Sequence, residues 1–235
     1  MIREIVLLAV CVLVSTSNGD ASEEKHLVRR AAMKAPWTWP NAIVYYKFSR
    51  NLDNDGRNRL NQAMARIERK TCIRFRRRRN EPNYILMQYD FKKGGCKANV
   101  GFVGGQQNVY IANPEVFRTT GYCGVPSIVH ELGHALGFFH EQSRPDRDNY
   151  VRIHLKNLAP QYKWAAGNFD KTDRRWVDDR GIGYDYGSLM HYGKYAFASR
   201  GKVVVEPLDP KAHIGQRKGL SRKDINQLKV MYNCR

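Results

Sequence analysis

Hydrophobic and polar positions change period several times along the chain, and each change predicts an element. Asn41 to Phe48 is short, β-branched and aromatic, and reads as a strand. From Asp55 to Lys70 the apolar residues Leu60, Ala63, Met64 and Ile67 fall at helical spacing behind an Asp that can cap the first turn. Thr71 to Phe75 and Tyr84 to Tyr89 return to strand patterning, and Val109 to Ile111 predicts another strand. Pro126 to Phe139 reads as helix. Glycines 181, 183 and 187 then punctuate an irregular stretch, and Leu220, Ile225, Leu228, Met231 and Tyr232 predict a closing helix. Strands with a few helices, followed by irregular segments, point to an α+β fold.

The first thirty residues follow a different logic. Ile5 to Val14 is an unbroken apolar run, followed by small polar residues from Ser15 to Gly19. This is the layout of a signal peptide over residues 1–19. Ten residues of helix rise about 15 Å, half a bilayer core, so no transmembrane anchor is expected. Residues 20–30 lack a core pattern and end in Arg29-Arg30, which reads as a short pro-segment with a dibasic processing site; a disordered tail is the alternative. The folded unit is expected over 31–235, with no accessory domain after Cys234.

Lys plus Arg number 40 against 22 Asp plus Glu, a formal net charge of +18. Segment 1–30 is neutral, so the remainder keeps the whole excess. Charge of this size favours acidic or matrix-associated partners. Nucleic acid is not expected, because no recognition motif is present. Of five cysteines, Cys11 sits in the apolar run, leaving Cys72, Cys96, Cys123 and Cys234. An even number without CxxC spacing predicts two disulfides in an oxidising compartment, with three pairings open. The protein is expected to be secreted.

The chemistry concentrates in His130-Glu131-Leu132-Gly133-His134-Ala135-Leu136-Gly137-Phe138-Phe139-His140. His130 and His134 lie one helical turn apart on one face and can reach a single Zn²⁺. Glu131 is rotated off that face, where it can contact a water without ligating the metal. Gly137 can take positive φ and turn the chain so that His140 becomes a third ligand. Three protein ligands leave a position open, which marks a catalytic zinc rather than a structural one. A non-catalytic basic binding module on the same scaffold is the rival reading, and the intact Glu131 and three His argue against it.

HExxHxxGxxH is the metzincin motif. The continuation from Glu141 through Arg144, Asp146 and Tyr150, together with Ser188-Leu189-Met190-His191-Tyr192, resembles the astacin family of secreted or membrane-anchored zinc endopeptidases. The resemblance runs from about Ala31 to Cys234. It implies two lobes flanking a cleft, with a mixed sheet and active-site helix in one and a loop-rich C-terminal lobe in the other. It implies one zinc per chain on His130, His134 and His140, with Glu131 as general base and then general acid. Met190 would floor the metal, and Tyr192 would hydrogen-bond the oxyanion. Glu141 would receive the mature N-terminus at Ala31. The implied disulfides are Cys72–Cys234 and Cys96–Cys123. Arg217, in Ile214-Gly215-Gln216-Arg217, matches a segment that in some relatives reaches the pocket just past the scissile bond. The expected partner is a protein or peptide substrate, and the expected state a monomer.

The Asn18-Gly19-Asp20 stretch lacks the Phe of the family's zinc-blocking pro-segment motif, so latency by that route is not expected. His26, His154, His191 and His213 lie outside the ligand set and read as structural or exposed. Arg74 and Arg76 to Arg79 read as a solvated turn, with a polyanion-binding patch as the functional alternative.

Overall fold

The computed structural model describes residues 32–33, 37–91, 95–113, 123–178 and 181–235. The signal peptide, the pro-segment and Ala31 lie outside the described residues. Ala32–Met33 (β1) is followed by a 3₁₀ turn at Pro40–Ala42 and by Ile43–Phe48 (β2). The strand starts two residues later than its composition suggests, because Asn41 and Ala42 take φ of 55° and 56° in the turn. Asn54–Glu68 (α1) follows, with Leu60, Ala63, Met64 and Ile67 buried as the periodicity requires.

Arg74–Arg77 (β3) lies further along than the Thr71 to Phe75 expected. Thr71 Oγ1 instead donates to Ile67 O at 2.9 Å, closing the helix, and Cys72 leaves for its disulfide. The arginine run is therefore partly strand, which corrects the reading of it as a turn. Tyr84–Asp90 (β4), Lys97–Ala98 (β5) and Gln106–Ala112 (β6) complete a five-stranded sheet of order β3-β2-β4-β6-β5. All its neighbours run parallel except β5, which is antiparallel to β6. Val125–Ala135 (α2) packs with α1 on one face of this sheet.

After α2 come short 3₁₀ turns, Val151–Ile153 (β7), Val177–Asp178 (β8), Val205–Pro207 (β9) and Arg222–Met231 (α3). β7 pairs with β9, and β8 pairs with β1. Two apolar clusters define two lobes. One joins the sheet (Val44, Ile85, Met87, Val109, Ile111) to α1, α2 and α3; the other gathers Val151, Phe169, Tyr184, Val204 and Val205. The disulfides are Cys72–Cys234 and Cys96–Cys123, with Cα separations of 5.2 and 5.9 Å. No helix among the described residues is long and apolar enough to cross a membrane.

The start of α1 yields a stability prediction. Asp53 Oδ1 accepts from the Gly56 amide and from the Tyr89 hydroxyl, both at 2.7 Å. The amide first, and the phenol second, hold the Asp53 carboxyl below its ordinary value. Asp53→Ala is expected to cost about 1–2 kcal/mol in urea unfolding at neutral pH. A lowered folded pKa gives stability that is present above the usual carboxylate range and lost as pH falls through the lowered value. The gap between wild type and variant should therefore narrow below about pH 4. A gap of constant size on acidification would contradict the assignment.

Candidate active site

α2 carries the first two histidines and is anchored at its C-terminal end, where carbonyls would otherwise lack partners. Trp39 Nε1 donates to Ala135 O and the Tyr232 hydroxyl to Leu136 O, each at 2.9 Å. The helix stops at Ala135, short of the Phe139 expected, because Gly137 takes φ of 107° and reverses the chain. His140 then arrives from outside the helix. His134 Nε2 lies 3.1 Å from His130 Nε2 and 3.2 Å from His140 Nε2.

The Nδ1 atoms of the two helical histidines face carbonyls, His130 with Leu189 O at 2.9 Å and His134 with Phe138 O at 2.7 Å. A carbonyl accepts only, so these Nδ1 atoms carry the proton and the Nε2 lone pairs converge. Burial holds His130 down to about 3 and His134 to about 4, and pushes His140 well below its usual value. Three neutral nitrogens in such proximity repel one another unless a cation lies between them. A tetrahedral ion about 2.0–2.1 Å from each would space its ligands by about 3.3 Å. The donor set and its spacing fit zinc.

Glu131 is buried beside this trio; burial pushes its carboxyl up to about 8, and the nearby Arg217 opposes the rise. The Tyr192 ring sits 4.4 Å from that of His140, and burial first, then Glu131, raises its phenol to about 12. Met190 is buried. A Cβ at Gly133 would lie 3.1 Å from Met190 Sδ, a close approach that the methionine would have to yield to. An open cleft of about 650 Å³ spans these groups, lined by the three histidines, Glu131 and Tyr192, by Lys97 and Ala98 of β5, and by residues 167–172 apart from Phe169.

The remaining expected residues support the site from behind. Glu141 is buried; its Oε1 accepts from the Asp185 amide at 2.8 Å and from Arg144 Nη1 at 3.4 Å. Arg144, fully buried, also makes a bidentate pair with Asp146. Arg217 carries a charge that acts on Glu131 and Tyr192. Its Nη1 donates to Leu189 O, His191 O and Gln216 O at 3.3, 3.1 and 2.8 Å, bracing the turn that carries Met190. His191 is structural, as expected, with Nε2 2.7 Å from the Tyr184 hydroxyl, and His154 pairs with Glu206.

Sequence reasoning missed Asp224. This buried carboxylate accepts from Ser188 Oγ at 2.7 Å and from the Leu189 amide at 2.9 Å. Leu189 O in turn receives His130 Nδ1–H, so the N-terminus of α3 fixes the His130 ring through one intervening residue. The Ser221-x-x-Asp224 spacing was legible as a capping box. Its grip on residue 188 depends on tertiary structure.

A family model described as Astacin, a peptidase family, matches residues 31–233. The chain belongs to the astacin family. Among the family's curated members it is 45% identical over 212 residues to Nematocyst expressed protein 6 of Nematostella vectensis, covering 88% of this chain and 69% of that one. It is 39% identical to High choriolytic enzyme 1 of Oryzias latipes, covering 94% of this chain and 83% of the relative. It spans only 43% of the astacin-family zinc metalloproteinase nas-13 of Caenorhabditis elegans, at 36% identity over 90% of this chain. The solved structure of High choriolytic enzyme 1, a hatching enzyme zinc-protease, superimposes with a TM-score of 0.73 at 39% identity, covering 87% of this chain and 96% of that one. As an astacin-family protein the chain is a metalloendopeptidase that uses zinc.

Proposed function

We infer that this protein is a secreted endopeptidase that cuts internal peptide bonds with Glu131 as general base. The observation that carries this reading is the convergence of three imidazole Nε2 atoms beside a buried glutamate in an open cleft. His130, His134 and His140 would hold the metal. When bound, zinc supplies Lewis acidity, lowering a coordinated water's pKa to about 7 and polarising the scissile carbonyl. A dication next to Glu131 favours its carboxylate and offsets the burial that raises it. Glu131 takes the proton of the attacking water and returns it to the leaving amine. Tyr192, protonated at working pH, donates its phenol hydrogen to the developing oxyanion. Met190 packs under the histidines, while Asp224 and Arg217 hold its turn in place.

Export is supported by the apolar run at residues 5–14 and by the two disulfides. Maturation behind Arg30 would free the amine of Ala31 one residue before β1. Ala32–Met33 pairs with Val177–Asp178, which supports Glu141 as the proposed carboxylate for that amine. The positive charge of Arg217 reaches Glu131 and Tyr192. It would therefore also favour an acidic residue just after the scissile bond.

The test is cleavage of casein by the processed protein. A zinc chelator should abolish it and added Zn²⁺ should restore it. Profiling on a peptide library in the same assay should enrich Asp or Glu after the cut. Chelator-resistant cleavage would overturn the zinc mechanism, and a flat profile the role of Arg217.

A further inference from the structure

The sheet buries one face under α1 and α2, and among the described residues no helix covers the other. On that outer face the register sets residues in rows. Arg76 lies opposite Tyr45, and Tyr46 opposite Ile85. Tyr45 is thus level with Tyr84, which is opposite Gln106. The next row carries Lys47, Leu86 and Asn108, and Arg74 lies opposite Ile43. Arg78, just past β3, stacks over the Tyr84 ring at 4.1 Å. At the far edge Lys97 lies 4.6 Å from the Tyr110 ring.

Lys97 pairs with Asp90, and Arg78 Nε donates to Glu81 O, while the arginines of β3 and the turn after it (Arg74, Arg76, Arg77, Arg78 and Arg79) make no carboxylate ion pair among the described residues. Of the acids bordering the face, Glu81 turns Oε2 to the Arg79 amide at 2.7 Å, Glu68 accepts from the Phe75 amide, and Asp90 is held by Lys97. We propose that this outer face, centred on Arg76, Arg78, Arg79 and Lys47, is a docking surface for a sulfated linear polysaccharide.

Three features select that occupant. Three of the four cations are arginines, whose planar forks engage tetrahedral oxyanions through paired hydrogen bonds. Tyr45 and Tyr84 lie between them, offering flat rings rather than protruding apolar tips. Among the described residues none of the exposed large hydrophobic side chains lies on β2, β3, β4 or β6, which favours a polar occupant over a membrane surface. An acidic peptide could add as a further strand only along β3, the sheet edge. There the outward Phe75 amide is already taken by Glu68 Oε1 at 2.8 Å, and the side chain of Arg74 covers Thr71 O and Ile73 O. β3 is also the edge opposite β5, which lines the cleft. Four strand spacings, about 19 Å, separate the two, so a bound chain would leave catalysis free.

The test compares binding of the zinc-loaded protein to immobilised heparin at 0.15 M salt for three proteins. These are the wild type, Arg76→Ala/Arg78→Ala/Arg79→Ala, and a control with the same charge change on the other lobe, Arg200→Ala/Lys202→Ala/Lys211→Ala. The sheet variant should lose about 10-fold or more in affinity, and its slope of log Kd against log salt should fall by about 2, as for lost contacts to a single-stranded polyanion. The control should lose less than about 3-fold, and short-peptide kcat/KM should stay unchanged in both. Arg78 packs on Tyr84, so Arg76→Ala/Lys47→Ala, both exposed, provides a second variant, expected to lose several-fold. Equal losses in the sheet and control variants would overturn the proposal. So would undiminished binding to desulfated heparin, or binding as tight to poly-glutamate or to phosphatidylserine vesicles.

Discussion

Glu131→Gln is expected to keep about one zinc per chain while kcat falls by at least about 10²–10⁴-fold, the usual contribution of a positioned general base. The substitution preserves side-chain shape in a buried pocket, so the histidine cluster beside it should stay intact. What it removes is the group that accepts and returns the proton. His134→Ala is the complementary change. It deletes the central nitrogen of the trio, the one within 3.2 Å of both others, and should lose the metal along with activity. Metal analysis alongside kcat separates the two outcomes. If purified Glu131→Gln retained more than a few per cent of activity, the proton relay proposed for it would be wrong.

Tyr192→Phe is expected to lower kcat by about 10²–10³-fold with little change in KM, because the phenol acts on charge that develops only in the transition state. The ring itself should stay in place. It packs against His140 at 4.4 Å and against Phe169 and Phe197 at 5.7 Å each, contacts that phenylalanine can reproduce. With its phenol raised to about 12, the donor stays protonated at neutral and mildly alkaline pH. The kcat ratio of wild type to variant should therefore be flat from about pH 6 to 9. An unchanged kcat would remove Tyr192 from the catalytic set, and a comparable rise in KM would assign it to ground-state binding.

Where chemistry is written locally, the chain could be read directly. His130, Glu131, His134, Gly137 and His140 are close in sequence, and one helix and one positive-φ glycine bring them together. The buried positions of α1 followed from periodicity alone. Legibility failed where a distant partner decides. Strand β3 begins at Arg74 because Thr71 caps the preceding helix and Cys72 leaves toward Cys234, neither of which shows in local pattern. Short strands such as Ala32–Met33 and Val177–Asp178 carry too few residues to display a period. Arg217 matched a segment associated with a substrate pocket. In the fold its Nη1 also donates to three carbonyls, a bracing role beside the proposed pocket role that only the folded turn reveals.

The α3 residues Leu228 and Met231, with Tyr232 just beyond, are buried in the same core as the sheet, and the adjoining Cys234 bonds to Cys72 across 162 residues. During synthesis at about 5–20 residues per second, Cys72 would wait roughly 8–30 s for its partner. Cys96 and Cys123, 27 residues apart, both emerge within that interval. A Cys72–Cys96 crosslink is therefore open to the nascent chain before the native one exists. The yield of correctly bonded enzyme should depend on thiol exchange as much as on the rate of oxidation. Expression in a compartment with a disulfide isomerase should outperform one that only oxidises.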